Sequence, residues 1–216
     1  MNKEQSVIEF YVLCNKLKNI VRTGWKDWGV KRERVESVAE HIYGVQMLAI
    51  AMWSEYKYPI DIAKVIMMLA IHELEEVVIG DLTQFQIDKA QKEELGHQAI
   101  KKILSGLIRG EDCESLILEF DARQSAEAIF AYQCDKLECD LQCKLYDEER
   151  CVDLNNQANN KTSQDKSVQK LLKSGKSWSE MWLLFGQEKY PYDKNFLAVS
   201  NYVLNNSISI NCDDEE

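Results

Sequence analysis

Apolar residues recur about every 3.6 positions along nearly the whole chain, and runs of strict apolar/polar alternation are scarce. Two prolines and nine glycines in 216 residues leave few of the turns that a strand-rich protein needs. The pattern predicts an amphipathic helix over 4–20, with Val7, Ile8, Tyr11, Val12, Leu17 and Ile20 on its apolar side. The segment RTGWKDWGVKRERV, broken by Gly24 and Gly29, reads as irregular. Ser37 stands where an N-cap would, and Glu40 three residues on completes a capping box, opening a helix to about Tyr56. Pro59 and Asp61 open the next helix, which the pattern continues to Gly80. Further helices are predicted over 88–108, 111–121 and 124–150, and shorter ones near 166–174, 178–188 and 194–205. Between these two groups, DLNNQANNKTSQDKS lacks periodicity and reads as a loop or mobile excursion; the tail SISINCDDEE reads as frayed. The fold class is therefore all-α. Residues 1–150 form a helical core, and 151–216 form a polar loop and a C-terminal helical extension packed on the same domain.

Composition narrows the function more than the fold. Apolar residues at 45% and charged residues at 29% are ordinary for a globular chain. A formal charge of −10 offers no broad basic surface and argues against a nucleic-acid polymer as partner. The local cluster Lys31-Arg32-Glu33-Arg34 leaves room for a small anion, since one phosphate needs only a few cations. The N-terminus has no uninterrupted apolar run of the secretory kind, and charges interrupt every apolar stretch well before 18 residues. No membrane partner is expected. Seven cysteines, an odd number with no CxxC pair, read as reduced thiols of a cytoplasmic protein. Cys139 and Cys143 share a helix face but lack the further Cys or His that a soft-metal site needs.

The candidate chemistry lies on the apolar helices. His72-Glu73 sits in AKVIMMLAIHELEEVVIGD, His41 in ESVAEHIYGV and Asp135 in AYQCDKLECD. Each residue alone has a plainer reading, as a hydrogen-bonded core histidine or a surface charge pair. Together, two imidazoles and two carboxylates suit a divalent first-row metal ion, and burying them without partners would cost several kcal/mol. On a continuous helix His72, Glu73 and Glu76 share one sector, with Asp81 just past Gly80. Glu75 points elsewhere and reads as solvated. His97, among charged neighbours, reads as a surface or structural residue. Trp178, Met181, Trp182 and Phe185 at helical spacing read as core or dimer packing.

ESVAEH, then HE followed by EVVIGD, then SAEAIFAYQCDKLE resembles, in order and spacing, the HD-domain metal-dependent phosphohydrolases, closest to the 5′-deoxynucleotidases. The resemblance covers roughly residues 5–150. It implies an HD-domain helical bundle, usually a homodimer, with one divalent ion (Co, Mn, Zn, Mg or Fe) held by His41, His72, Glu73 and Asp135. It implies catalytic carboxylates at Glu76 and Asp81. Arg22 and Trp25 in RTGW are implied to contact substrate, and Arg34 to be available to phosphate. The stretch between RTGW and ESVAEH is about two residues longer than the family's, so Trp28 competes with Trp25. The family's Asp in the HD pair is Glu73 here, which displaces the carboxylate by about one C–C bond.

The implied activity is removal of the 5′-phosphate from (deoxy)ribonucleoside monophosphates by water activated on the ion. Asp81 or Glu76 would orient that water. Glu76 would serve as general acid, Arg22 with Lys31 or Arg34 would hold the phosphate, and Trp25 would cover the sugar face. One alternative is another nucleotide phosphohydrolase on the same scaffold, a phosphodiesterase or triphosphohydrolase. The other is a non-catalytic binding module disabled at Glu73.

Overall fold

A computed structural model describes residues 2–83, 86–158 and 160–209, apart from the side chain of Lys89; most of the acidic tail, 210–216, lies outside the described residues. The elements are α1 (Lys3–Cys14), a 3-10 turn (Asn15–Asn19), α2 (Thr23–Asp27), α3 (Val38–Tyr56), α4 (Ile62–Ile71), α5 (Glu76–Ile79), α6 (Lys89–Leu104), α7 (Gly110–Ala122), α8 (Ala126–Glu148), α9 (Lys166–Lys173), α10 (Trp178–Lys189) and α11 (Lys194–Asn205). Among the described residues the extended pairing is one isolated antiparallel bridge, Val21 with Ser37. The all-α expectation holds.

Two compact units divide the chain, one of Met1–Lys26 and Arg34–Asp135, the other of Asp27–Glu33 and Lys136–Glu216. The division falls inside α8 rather than at residue 150. In the first unit α3 packs on α4, α4 on α7 and α6 on α7. Their inward stripes are the ones the period marked: Val45, Ala49 and Met52 of α3 and Val65, Met68 and Leu69 of α4 are buried. Ile71, Leu74, Ile100, Leu104 and Ile117 form an adjoining apolar cluster. Each such side chain contributes about 2 kcal/mol by leaving water.

Local signals explain the helix starts. Ser37 Oγ accepts from the Glu40 N–H while Glu40 Oε2 accepts from the Ser37 N–H at 2.8 Å, so both halves of the capping box form. Asp61 caps α4 by accepting from the N–H groups of Ala63 and Lys64.

Two predicted helices differ from the structure. The helix over 4–20 tightens into the 3-10 turn after Cys14, and its expected apolar side is not uniformly buried: Val7, Ile8, Tyr11 and Val12 are exposed, while Leu17 is buried. The helix read from 61 to 80 breaks over His72–Glu75, where Leu74 N–H bonds Ile71 O and Glu76 N–H bonds Glu73 O. These i→i−3 bonds are a tighter winding than the α-helix allows.

In the second unit, Trp28 packs on Trp178 with ring centroids 5.7 Å apart, so Trp28 serves as core. Trp178 and Met181 are likewise buried. The polar stretch after α8 is a loop tied by its own amides: Asn160 Oδ1 accepts from the Thr162 N–H, and Gln157 Nε2 donates to the Trp28 carbonyl.

Candidate metal centre and its surroundings

Two helices and one turn deliver four donor side chains to one point of the first unit. His41 lies one turn inside α3, His72 and Glu73 occupy the turn after α4, and Asp135 comes from α8. One donor atom from each lies within 4.8 Å of all the others. His41 Nε2 is 3.3 Å from Asp135 Oδ1 and 3.9 Å from Glu73 Oε1; His72 Nε2 is 3.9 Å from each of the two carboxylate oxygens. Donors held at the usual ~2.1 Å from a tetrahedral ion stand about 3.4 Å apart, close to this spacing.

The tautomer of His72 is set for ligation. Its Nδ1 lies 2.8 Å from the Leu69 carbonyl and donates to it, which also satisfies a carbonyl at the end of α4. That leaves Nε2 as the lone-pair nitrogen, buried with no hydrogen-bond partner and facing the two carboxylates. A backbone-oriented imidazole of this kind is what a bound metal requires. Burial lowers the His72 pKa, against the pull of Glu73 and Asp135, so the ring is held neutral. Burial alone would raise Glu73, but nearby positive charge, from His72 when protonated and from Lys92 and Arg22 throughout, holds it well below the usual carboxylate range. The donor set, its spacing and its protonation fit a divalent ion.

A second ring of charge surrounds these four. Arg22 Nη1 lies 3.4 Å from Glu73 Oε1, and its Nε lies 3.9 Å from Asp81 Oδ2. Asp81 also receives the Thr23 N–H at 2.6 Å, while the Thr23 hydroxyl donates to the Asp81 carbonyl at 2.6 Å. Gly80 makes this junction possible: at φ 75° it ends α5 and turns the chain so that Asp81 follows at once. Glu76 is buried, and burial, then Glu73 and Asp81, raise its pKa well above the usual value, against the pull of Arg22 and Lys92. Lys92 Nζ is 3.5 Å from Glu76 Oε1.

The HD-domain family model matches residues 14–179. The chain belongs to the HD-domain family of metal-dependent phosphohydrolases. A 5′-deoxynucleotidase of Dictyostelium discoideum is 34% identical over 151 residues, 66% of this chain and 78% of that protein. A human 5′-deoxynucleotidase is 30% identical over 148 residues, 67% and 70% of the two chains. The fold matches a protein of Pyrococcus horikoshii with TM-score 0.67 at 23% identity, over 92% of this chain and 98% of that one. It also matches a protein of Magnetospirillum magnetotacticum, described as a predicted metal-dependent phosphohydrolase, with TM-score 0.63 at 22% identity, over 94% and 91%.

Within this HD-domain phosphohydrolase the expected site residues are not all gathered. His41, His72, Glu73 and Asp135 come together, with Arg22, Glu76 and Asp81 around them. Trp25 does not offer a face to substrate: it is 2% exposed, and its indole N–H donates to Glu36 Oε2 at 2.6 Å. An aromatic wedged beside a backbone bridge takes that position because its area is worth more inside than outside. Arg34 is placed elsewhere, 82% exposed and paired with Glu40 of the α3 capping box. Glu75 is half-buried rather than fully solvated, with Oε2 out of water. It packs against Gly96, and burial followed by the Glu73 charge pushes it up to about 8. His97 pairs with Asp121 at 2.8 Å, a structural role. Sequence reasoning missed Lys92, because α6 is polar on most sides and its period does not say which of several lysines turns inward.

Proposed function

We propose that this chain hydrolyses the 5′-phosphate of (deoxy)ribonucleoside monophosphates. The reading rests on the buried set of two imidazoles and two carboxylates with a further buried carboxyl, Glu76, close by. The relatives that are 34% and 30% identical and named 5′-deoxynucleotidases support the substrate class.

His41, His72, Glu73 and Asp135 would hold the ion, which supplies Lewis acidity toward water and phosphate oxygen. The remaining work belongs to the chain. Glu76, whose hold on a proton is strengthened by burial and by Glu73 and Asp81, would give the proton that the departing 5′-oxygen needs. Asp81 fixes the turn that carries Arg22 by accepting the Thr23 N–H, and so acts as a positioning residue. Arg22 stands between Glu73 and Asp81 with a fork suited to phosphate oxygens. Trp25 and Glu36 brace the same turn from inside. Homodimerisation is carried with this reading from the family resemblance.

The test is phosphate release from a panel of deoxy- and ribonucleoside 5′-monophosphates, with the corresponding triphosphates and a cyclic diester for comparison. Protein would be stripped by chelation and reloaded with Co²⁺, Mn²⁺, Mg²⁺ or Zn²⁺. Metal-dependent release from monophosphates, lowered about a hundredfold or more in Glu76→Gln, is expected. Turnover of the triphosphates or the diester alone would replace this reading. Silence on every ester by metal-loaded protein would end it.

A further inference from the structure

We propose that Lys92 is a substrate-binding residue, the cation that leaves Glu76 to take a phosphoryl oxygen. The proposal rests on the phosphomonoesterase reading above and names a residue for it.

Charge around the centre is lopsided. Glu73, Glu76, Asp81 and Asp135 supply carboxyl groups, and Arg22 and Lys92 are the cations placed among them. Arg22 is spread over two carboxylates, Glu73 and Asp81. Among the described residues, Lys92 contacts Glu76 alone, at 3.5 Å. A charge-assisted N–H···O bond normally closes to about 2.8 Å, so this one is loose and cheap to exchange. The two ends of the pair also differ in exposure: the Glu76 side chain is 1% exposed and the Lys92 side chain 28%. The Lys92 side chain therefore reaches solvent while its partner does not, which leaves it open to an arriving dianion. A lysine suits that movement, with three donors on a four-carbon stem.

The place of Lys92 in its helix points the same way. Its N–H bonds Asp88 O, the N-cap carbonyl, so Lys92 sits in the opening turn of α6. A cation there opposes the helix dipole, which favours acids at that end. Local rules are broken in this manner chiefly at functional sites.

Phosphate binding separates this proposal from a purely structural counter-ion role for Lys92. Metal-loaded native protein, Lys92→Met and Lys92→Arg would be titrated with inorganic phosphate by calorimetry, and bound metal would be measured on each. KM and kcat for a nucleoside monophosphate would be taken in parallel. Loss of the ammonium is expected to weaken phosphate about tenfold or more and to raise KM by a similar factor. Metal content should be unchanged, and Lys92→Arg should recover part of the loss. Native-like phosphate affinity in Lys92→Met would overturn the proposal. If that variant does not fold, Lys92→Gln takes its place, and native-like phosphate affinity and KM in folded Lys92→Gln would overturn the proposal equally. Lys92-dependent phosphate binding without monophosphate turnover would sink the proposed substrate and leave Lys92 as the anion contact.

Discussion

One methylene at Glu73 tests how far a family's geometry carries onto a changed residue. A longer acid in the name-giving position reads on paper as a handicap. In the structure the turn at 72–75 sets the Glu73 backbone so that Oε1 stands 3.9 Å from both imidazole nitrogens and 3.4 Å from Arg22. The extra length is used, since an aspartate on the same backbone would fall short by about 1.5 Å. Metal–donor distances tolerate only about 0.2 Å. Glu73→Asp is therefore expected to weaken metal binding tenfold or more and to lower turnover with it. Metal affinity from a competition titration decides the matter. An Asp variant that binds metal more tightly and turns over faster would show Glu73 to be a defect rather than a fitted ligand.

Elements show where the sequence was legible. The α3 capping box and the inward stripes of α3 and α4 follow from residue type and spacing, and the structure carries them. The break between α4 and α5 does not, because HELEE holds no Gly or Pro and consists largely of good helix formers. The winding tightens in a tertiary setting: His72 bonds the Leu69 carbonyl, Leu74 joins the apolar cluster, and Glu75 packs on Gly96. Periodicity likewise found the apolar side of α1 but could not say that Val7, Ile8, Tyr11 and Val12 stay exposed in a single chain. The four candidate metal ligands were legible because imidazole and carboxylate on apolar helices have few other uses. Lys92 was not, being one lysine among several on a polar helix. The cap of α3 links element to site, since His41 N–H bonds the Ser37 carbonyl and shares the first turn. Ser37→Ala should cost about 1 kcal/mol of stability. Fraying of that turn should also loosen His41, so metal affinity should fall alongside. A drop in melting temperature with metal affinity intact would show that His41 is held by the core and not by its cap.

Across the whole chain the first unit carries the metal centre, and the second carries a buried acid with no part in that chemistry. Asp140 of α8 is 2% exposed, accepts the Tyr192 hydroxyl at 3.1 Å, and lies where a Cβ on Gly186 would meet its Oδ2 at 2.5 Å. Glycine at 186 is what lets α10 approach so closely. Burial raises the Asp140 pKa well above the carboxylate norm; Tyr192 and Lys136 pull it down, and Glu138 pushes it up. The Cys143 thiol, itself raised by burial, is the other titratable neighbour that senses this acid. In the unfolded chain Asp140 ionises near pH 4, while the folded unit keeps its proton. Above that pH the native state binds the extra proton, so stability falls as pH rises, by up to about 1.4 kcal/mol per pH unit until the folded pKa is passed. Asparagine keeps the shape and an acceptor for Tyr192 but cannot ionise. Asp140→Asn should therefore be about as stable as native near pH 4 and more stable above it, by a margin that grows with pH until the folded pKa is passed. Urea unfolding midpoints of both proteins across that range measure the divergence. Parallel curves would mean that Asp140 is ionised in the folded protein, with Lys136 outweighing its burial.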